Sequence, residues 1–501
     1  MKIKKITALG AALFLAAFTA YAQDDFGDFG DFGDFGGDSS SSSSSAGVKV
    51  SGEVELSARS YLDTDASEKG INLSSSDLKD MELRANPSAK LGFAYSGSKV
   101  DAEIKLKFDR NSFGDYKWDM LDEAIIKGYF MENALTVEAG KMRTIWGKGD
   151  RVHVLDNFNA DDYTDFLVPL YLDRRIAVPM VKATYAFEKN NMSLEAIWTP
   201  MMEADRFAKN GRWTPAKFST LQGTINSAVA SGVMGAFDMG GKAYTGAMMQ
   251  ASKLSSNEDD LYPDTHKLKY SQAGLRFTGT FGMVDLGLSY YYGHYKQVSC
   301  NVSKMAPFVR NYLSGANGEK FLDYDKKQTF GIEASSIIWH FNVRGELAYN
   351  LTDDTAGDDP WVHNNSVQWL AGFDIDIPIN NVNVNVQETG TFILKNGNID
   401  GAYQKYDVDY DRNGKYTNNR LIVNITDSWK NGKIKPEATV IWGIERGDLV
   451  VMPKVDFCPN QDITFYVNGL AMWGKDEDSE FEEWSYHNNN SFAGLGVKCK
   501  F

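Results

Sequence analysis

The chain has 501 residues, a net charge of −15 at pH 7 and 43% hydrophobic residues, with a mean hydropathy of −0.37. The acidic balance argues against nucleic-acid binding. Only three cysteines are present, widely spread, so a disulfide framework is not expected. Beyond the N-terminus no apolar run approaches the roughly 18 residues of a membrane-spanning helix.

The first 22 residues have the pattern of a cleavable export signal. Three lysines precede an apolar stretch from Ile6 to Phe18, and Ala20-Tyr21-Ala22 matches the small-x-small cleavage pattern. A membrane anchor is disfavoured, because the apolar stretch is short and the cleavage pattern follows at once. We therefore expect export and cleavage after Ala22.

Residues 23–47 form a low-complexity segment. Four Asp-Phe-Gly repeats are followed by seven serines, Ser39 to Ser45. Acidic residues, glycine and serine cannot bury a core, so this segment is predicted to be a disordered periplasmic leader. The alternative is that its evenly spaced phenylalanines dock a partner.

From residue 48 to residue 501 apolar and polar residues alternate, which is the period of a β-strand with one apolar and one polar face. One example places Val382, Val384 and Val386 opposite Asn383, Asn385 and Gln387. Eighteen such runs lie near 48–60, 81–95, 100–109, 121–130, 135–146, 176–187, 192–199, 270–281, 284–295, 328–338, 341–351, 366–379, 382–392, 420–428, 433–444, 448–457, 462–472 and 491–501.

Short and long connections alternate between these runs. This is the pattern of outer-membrane barrels, with short periplasmic turns and long surface loops. We predict an all-β fold: a transmembrane antiparallel up-and-down β-barrel of about 18 strands, with 16 as the alternative, and long loops at 147–175 and 200–269. A soluble β-sandwich is disfavoured, because its strands average five or six residues and its loops need not alternate in length.

The last strand carries a family resemblance. Its apolar face alternates up to a terminal aromatic, Phe501, with Gly494 where a polar residue is usual. It resembles the C-terminal signal by which outer-membrane barrels are recognised by the assembly machinery. The whole chain after the signal resembles the porin superfamily in layout, which implies outer-membrane lipid and the assembly machinery as partners.

A narrower resemblance lies around Trp146-Gly147-Lys148-Gly149-Asp150 and Asn159-Ala160-Asp161. These residues are similar to an uncharacterised outer-membrane barrel family that has a W-G strand end and an N-P-x-D loop. Ala160 stands where that family has proline.

A barrel of 16 to 18 strands leaves a channel unless loops close it. The polar strand faces carry charges of both signs, which suits small hydrophilic solutes. The predicted function is therefore an outer-membrane pore (porin). A transporter of apolar ligands and a surface adhesin or structural barrel are the alternatives. The sequence contains no catalytic motif that we recognise, so neither enzymatic activity nor an organic cofactor is expected.

Two long loops are candidates for narrowing the pore. The loop 147–175 holds charges of both signs that could line a constriction, although such charges are commoner on solvated loops: Arg151, Asp161, Asp162, Arg174 and Arg175. The loop 200–269 is predicted to be partly helical, with Thr214 as the N-cap and Pro215 as the first helical residue. This helix could cap the mouth, fold inside or grip an apolar ligand.

The acidic residues concentrate in the long loops, for example at Asp353, Asp354 and 476–483, and would favour cations at the outer mouth. Asp409, Asp411 and Asn413 have the spacing of a calcium loop. Arg420 stands where the calcium loop needs an acid, so a plain turn is the alternative.

Overall fold

The computed structural model describes residues 47–61, 83–114, 116–188, 191–209, 211–238, 241–256, 261–359, 361–398, 416–445, 447–474, 487 and 490–501. The predicted signal peptide, the Asp-Phe-Gly repeats and the calcium-loop candidates Asp409, Asp411 and Asn413 lie outside these residues.

Eighteen antiparallel strands follow one another in chain order, and the last pairs with the first, so the sheet closes into a barrel. The strands are β1 Lys49–Tyr61, β2 Leu83–Ser96, β3 Val100–Phe108, β4 Leu121–Phe130, β5 Leu135–Met142, β6 Val178–Ala186, β7 Ser193–Thr199, β8 Gln272–Phe281, β9 Val284–His294, β10 Lys326–Ile338, β11 Phe341–Leu351, β12 Ser366–Ile377, β13 Val382–Ile393, β14 Thr417–Thr426, β15 Ile434–Gly443, β16 Leu449–Phe457, β17 Ile463–Trp473 and β18 Phe492–Lys500. The predicted fold class is confirmed, with 18 strands rather than 16.

Short turns join the strands at one rim of the barrel, and the long connections lie at the other rim. The turns use backbone conformations with positive φ, for example at Trp339 (61°) and Asn380 (53°). Both ends of the described barrel meet at the short-turn rim, where the backbones of Gly52 and Phe501 exchange two hydrogen bonds of 2.7 and 2.9 Å. Only the connection 444–448 is short at the long-loop rim.

The alternation in sequence separates an apolar outer face from a polar inner face. Glu346 and Leu347 are neighbours in β11, yet the first is 3% exposed and the second 46% exposed. Successive side chains point to opposite faces, so Leu347 lies on the outer face and Glu346 faces the lumen. Exposed aromatic residues include Tyr292, Tyr349 and Trp442 toward the long-loop rim and Phe187, Phe281 and Phe457 toward the short-turn rim.

Three helices form a separate unit at the long-loop rim, here called the helical crown: α1 Ala216–Asp238, α2 Gly241–Ser256 and α3 Val302–Leu313. Their apolar side chains pack against each other around Ile225, Val233 and Phe308. The helix predicted in 200–269 is thus present, beginning at Ala216 directly after Pro215. The helix α3 lies in the connection 296–327, where no helix was predicted, although Met305, Phe308, Val309, Tyr312 and Leu313 have helical spacing.

Shorter elements complete the long connections. Single turns of helix lie at Arg110–Phe113, Lys117–Met120, Tyr171–Arg174, Leu268–Tyr270 and Asn396–Asn398. Two-residue ladders join Asp162–Tyr163 to Arg206–Phe207 and Ser299–Cys300 to Leu322–Asp323. Within the described residues, no helix has the length and apolar character needed to cross a membrane.

Candidate functional site

The connection between β5 and β6, residues 143–177, crosses the inside of the barrel and is here called the lumen segment. It is held by inward-facing side chains of strands that lie all round the sheet. The contacts are Arg59 (β1) with Asp165 at 2.8 Å, Lys90 (β2) with Asp173 at 2.8 Å, Lys327 (β10) with Asn157 at 2.6 Å, and Glu437 (β15) with Arg151 at 2.8 Å.

Asn159 clamps the two ends of the lumen segment together. Its side-chain oxygen accepts a hydrogen bond from the backbone N–H of Thr144 at 2.9 Å. Its side-chain nitrogen donates to the carbonyls of Met142 and Ile176 at 3.2 and 2.8 Å. This buried amide therefore satisfies backbone groups at both strand ends, which gives a structural reason for the asparagine of the Asn159-Ala160-Asp161 motif.

Glu346 on β11 anchors the middle of the lumen segment. One oxygen of its carboxylate accepts from the backbone N–H groups of Lys148 and Gly149, both at 2.7 Å. The other oxygen accepts from Val154 at 2.8 Å and Leu155 at 3.3 Å. His153 lies 3.3 Å away through its Nδ1. Successive N–H groups that converge on one carboxylate form an anion-binding nest, so the wall supplies the anion and the segment the nest.

The Trp146-Gly147-Lys148-Gly149-Asp150 motif is shaped by this anchor. Gly147 has φ of +117°, and a Cβ there would lie 2.3 Å from a Glu346 carboxylate oxygen. Trp146 is buried, packs edge-on against Phe158 and donates its indole N–H to Glu195 at 2.5 Å. The glycine thus permits the close approach of backbone to carboxylate, and the tryptophan fixes the start of the segment.

Arg175 braces the segment where it returns to the wall. The residue is 4% exposed and pairs with Asp156 at 2.8 Å and Asp161 at 3.3 Å. Tyr171 donates to Asp156 at 2.7 Å. Burial raises the pKa of Asp156. For Arg175, burial opposes the charge, but Asp156, Tyr171, Asp161 and Asp205 together outweigh it and hold the pKa above its ordinary value.

The five residues predicted to line a constriction are partly brought together. Arg151, Asp161, Arg174 and Arg175 border the main cavity of the lumen. Arg174 donates to the carbonyl of Pro169 at 2.9 Å and lies over the ring of Tyr171.

Asp162 does not border this cavity. It accepts instead from the backbone N–H of Thr164 at 2.9 Å and from the side chain of Asn111 at 3.0 Å. That these five residues set the pore's selectivity stays a prediction.

One side of the lumen wall is apolar and is covered by the lumen segment. Val152, Phe166, Leu167 and Val168 of the segment pack on inward-facing residues of β14 to β18, with Phe166 stacked on Trp213 at 5.1 Å. The covered wall residues are Ile422, Ile441, Val450, Met452, Leu470, Met472 and Phe492. Apolar burial thus fixes the segment on this side of the barrel.

The opposite side of the wall, from β2 to β6, contacts the segment at Lys90, which pairs with Asp173, and at Asp122 and Glu123, which pair with Arg143. Space beside these contacts belongs to a cavity of about 1600 Å³. The inward residues that border it there, here called the charged wall, are Lys90, Glu103, Lys105, Lys107, Asp122, Glu123, Lys127, Glu138 and Lys182. Charges of both signs on the polar strand faces were predicted, but no local sequence pattern connects these residues to the lumen segment.

Within the described part of the chain, no group of three or more His, Cys, Asp or Glu side chains is arranged to hold a metal ion. The calcium-loop candidates lie outside that part, so a calcium site there stays a prediction.

Neither a known protein family nor a characterised protein matches the chain by sequence. Among solved structures, a Rh. blastica porin mutant aligns with 91% of this chain and 100% of its own, at 11% identity and a TM-score of 0.36. Salmonella typhi OmpF in complex with daunomycin aligns over 91% and 97%, at 8% identity and a TM-score of 0.38. Pseudomonas putida OprB aligns over 91% and 94%, at 10% identity and a TM-score of 0.40.

The architecture itself is visible in the strand order. The sheet is antiparallel and closed, its turns are short at one rim, and its connections are long at the other. A barrel of this strand number is wide enough to enclose a channel. In its fold this chain is a porin-like β-barrel.

Proposed function

We propose that this protein is an outer-membrane pore through which small hydrophilic solutes diffuse, and that they pass between the lumen segment and the charged wall. One observation carries the proposal. The segment packs on the apolar side of the lumen but leaves a cavity of about 1600 Å³, which is bordered by the charged wall and also by apolar wall residues such as Ile422, Met452 and Leu470. At about 30 Å³ per water molecule, that cavity has room for roughly 50 waters.

The outer face of the barrel supports a place in a membrane. Residues such as Leu286, Ile332 and Val467 are exposed on strands whose opposite face is polar. Exposed apolar residues all round a closed sheet suit lipid rather than water. The predicted export signal, together with the two ends of the described barrel at the short-turn rim, supports an outer-membrane location, with the short turns in the periplasm and the long loops outside.

The chemistry of the cavity supports diffusion rather than tight binding of an apolar ligand. Its charged wall is a set of ion pairs that border the cavity on the side facing the segment. The apolar residues of the helical crown pack on each other in a core of their own. A solute that crosses the barrel along the charged wall therefore meets polar groups and water, as hydrophilic solutes require.

The test is conductance of the purified protein in planar lipid bilayers. We expect open channels in the wild type and in a variant without residues 216–256, because no described residue of that range borders the cavity. Absence of channels from both proteins, with gel migration showing that the barrels are folded, would contradict the proposal.

A further inference from the structure

The charged wall is balanced in charge. Among the described residues, six cations belong to it or adjoin it: Lys90, Lys105, Lys107, Lys127, Arg143 and Lys182. Six carboxylates pair with them within 4 Å: Glu103, Asp109, Asp122, Glu123, Glu138 and Asp173. The chain as a whole is strongly acidic, so this balance is local to the charged wall.

The charges also alternate from strand to strand. In one row, Glu138 on β5 lies directly between Lys127 on β4 and Lys182 on β6, at 3.5 and 2.5 Å. In the second row, Glu123 on β4 lies between Lys105 on β3, at 2.8 Å, and Arg143 just beyond β5, at 3.5 Å. Each row therefore reads positive, negative, positive around the wall. Glu103, which is 3.2 Å from Lys105, and Asp122, which pairs with Arg143, add two negative charges beside the second row, so the two rows together are neutral.

The two rows are spaced along the passage. Glu123 and Lys127 are four residues apart on β4, which separates the rows by about 13 Å at 3.3 Å per residue. Within a row, neighbouring charges sit on adjacent strands about 4.8 Å apart. A solute that moves along the charged wall thus meets two successive rows, and each row offers opposite charges a few ångströms from each other.

This arrangement treats ions and zwitterions differently. A single ion near one row is attracted by one group and repelled by its neighbour at a similar distance, so the two effects largely cancel. A small zwitterion such as an α-amino acid carries its own opposite charges a few ångströms apart, and can face both groups at once. A neutral polar solute meets hydrogen-bonding groups of both kinds and no repulsion.

We propose that the pore's substrates are small zwitterions, such as amino acids, and neutral polar solutes, in preference to ions of either sign. This inference rests on the pore function proposed above. The acidic outer loops do not produce this order. A negative mouth would favour cations and disfavour anions, and so could not place a zwitterion ahead of both.

The experiment measures efflux from proteoliposomes of three solutes of nearly equal size: alanine, the cation alaninamide and the anion lactate, with glycerol as the neutral reference. Potassium and valinomycin keep charge movement from limiting the ions. We expect alanine to leave at about the rate of glycerol and faster than both ions by about threefold. Either ion leaving faster than alanine would overturn the proposal.

A matched pair of variants tests the rows themselves. Lys127→Gln with Lys182→Gln leaves Glu138 without its cations, so alaninamide should become faster than alanine. Lys498→Gln is the control. Lys498 lies 3.6 Å from both Glu53 and Glu55, on a part of the barrel wall that does not border the cavity. In this variant the order of the solutes' efflux rates should not change. Gel migration before and after heating checks that each barrel is folded.

Two outcomes separate this proposal from the pore itself. If all four solutes escape but alanine is no faster than the ions, the pore stands and the substrate class is wrong. If none escapes faster than from protein-free liposomes, the pore is wrong, and the substrate class with it.

Discussion

The lumen segment and the helical crown start from the same rim of the barrel, but their polar and apolar groups find partners in different ways. The lumen segment has little regular structure, and its backbone N–H groups and charges find partners on the wall, above all at Glu346. The crown makes its backbone hydrogen bonds within helices and buries its apolar residues in its own core. A long loop therefore enters the lumen when the wall offers the partners that it lacks.

The largest effect should follow from removing the anchor of the lumen segment. Glu346→Ala leaves several backbone donors of the segment unpaired, at a cost of about 1–3 kcal/mol for each donor that stays buried. We expect the segment to leave its position and single-channel conductance to rise. The control is Glu333→Ala: Glu333 is directly opposite Glu346, is 1% exposed, and pairs with Arg276 instead of the segment. Equal conductance changes in the two variants would contradict this role of Glu346.

Destabilising the helical crown should leave the conductance of the pore unchanged. Phe308→Ala removes a buried ring from the crown's core, which costs about 3–5 kcal/mol for such a truncation. We expect faster proteolysis within 216–256 and 302–313 on intact cells, with unchanged conductance. Phe237→Ala, at a side chain 59% exposed, should change neither quantity. A conductance change in the Phe308 variant would mean that the crown and the passage are coupled.

Both regions depend on which strand residues face the lumen and which face the lipid. This assignment can be tested on β13. Val384→Arg places a charge on the lipid side, at a cost of about 2–4 kcal/mol near the middle of the bilayer. Asn385→Arg places the same charge beside Asp150 in the lumen and should be tolerated. Folding yield into lipid vesicles measures both. Equal losses would show that the register is shifted by one residue.

The smallest effect is expected where the two regions meet. Asp205, in the connection that leads to the crown, accepts a hydrogen bond from the backbone N–H of Asp161 in the lumen segment at 2.9 Å. Burial, and next the charge of Asp161, raise the pKa of Asp205 from 3.8 to about 6. Its contribution to stability is therefore complete below pH 3.8 and is lost as the pH rises through about 6.

Asp205→Asn keeps an acceptor for that N–H but does not titrate. The variant should therefore unfold at a higher temperature than the wild type at pH 8, and the difference should shrink as the pH falls toward 4. Thermal unfolding of both proteins across this range is the measurement. A difference that grows toward acid pH would contradict the raised pKa.

The strands could be predicted from sequence because alternation is local. Every predicted run coincides with one strand, with ends that differ by up to four residues, and even the two-residue turn between β10 and β11 was placed correctly. The helix α1 was also predictable, from Pro215 and the apolar spacing after it. The apolar spacing in α3 was equally clear. The helix was missed because the whole connection 296–327 was interpreted as a loop.

The contacts of the lumen segment could not be predicted in the same way. Gly149 and Glu346 are 197 positions apart, and no local pattern connects them. Charge content pointed to Arg151 and Arg174, but equally to Asp162, which bonds within its own loop and to Asn111. One usable signal was overlooked: β14 and β15 have consecutive apolar residues, such as Leu421-Ile422-Val423, which indicates an inner face covered by protein.

The most direct test of the proposed passage is a thiol block of single-channel conductance. In a background with Cys300, Cys458 and Cys499 changed to serine, a cysteine replaces Lys127 on the charged wall, and a bulky thiol reagent is added to open channels. Lys498→Cys, away from the cavity, is the reference. We predict that the reagent lowers conductance at position 127 and has little effect at position 498. Unchanged conductance at position 127, with mass spectrometry showing complete modification, would contradict a passage along the charged wall.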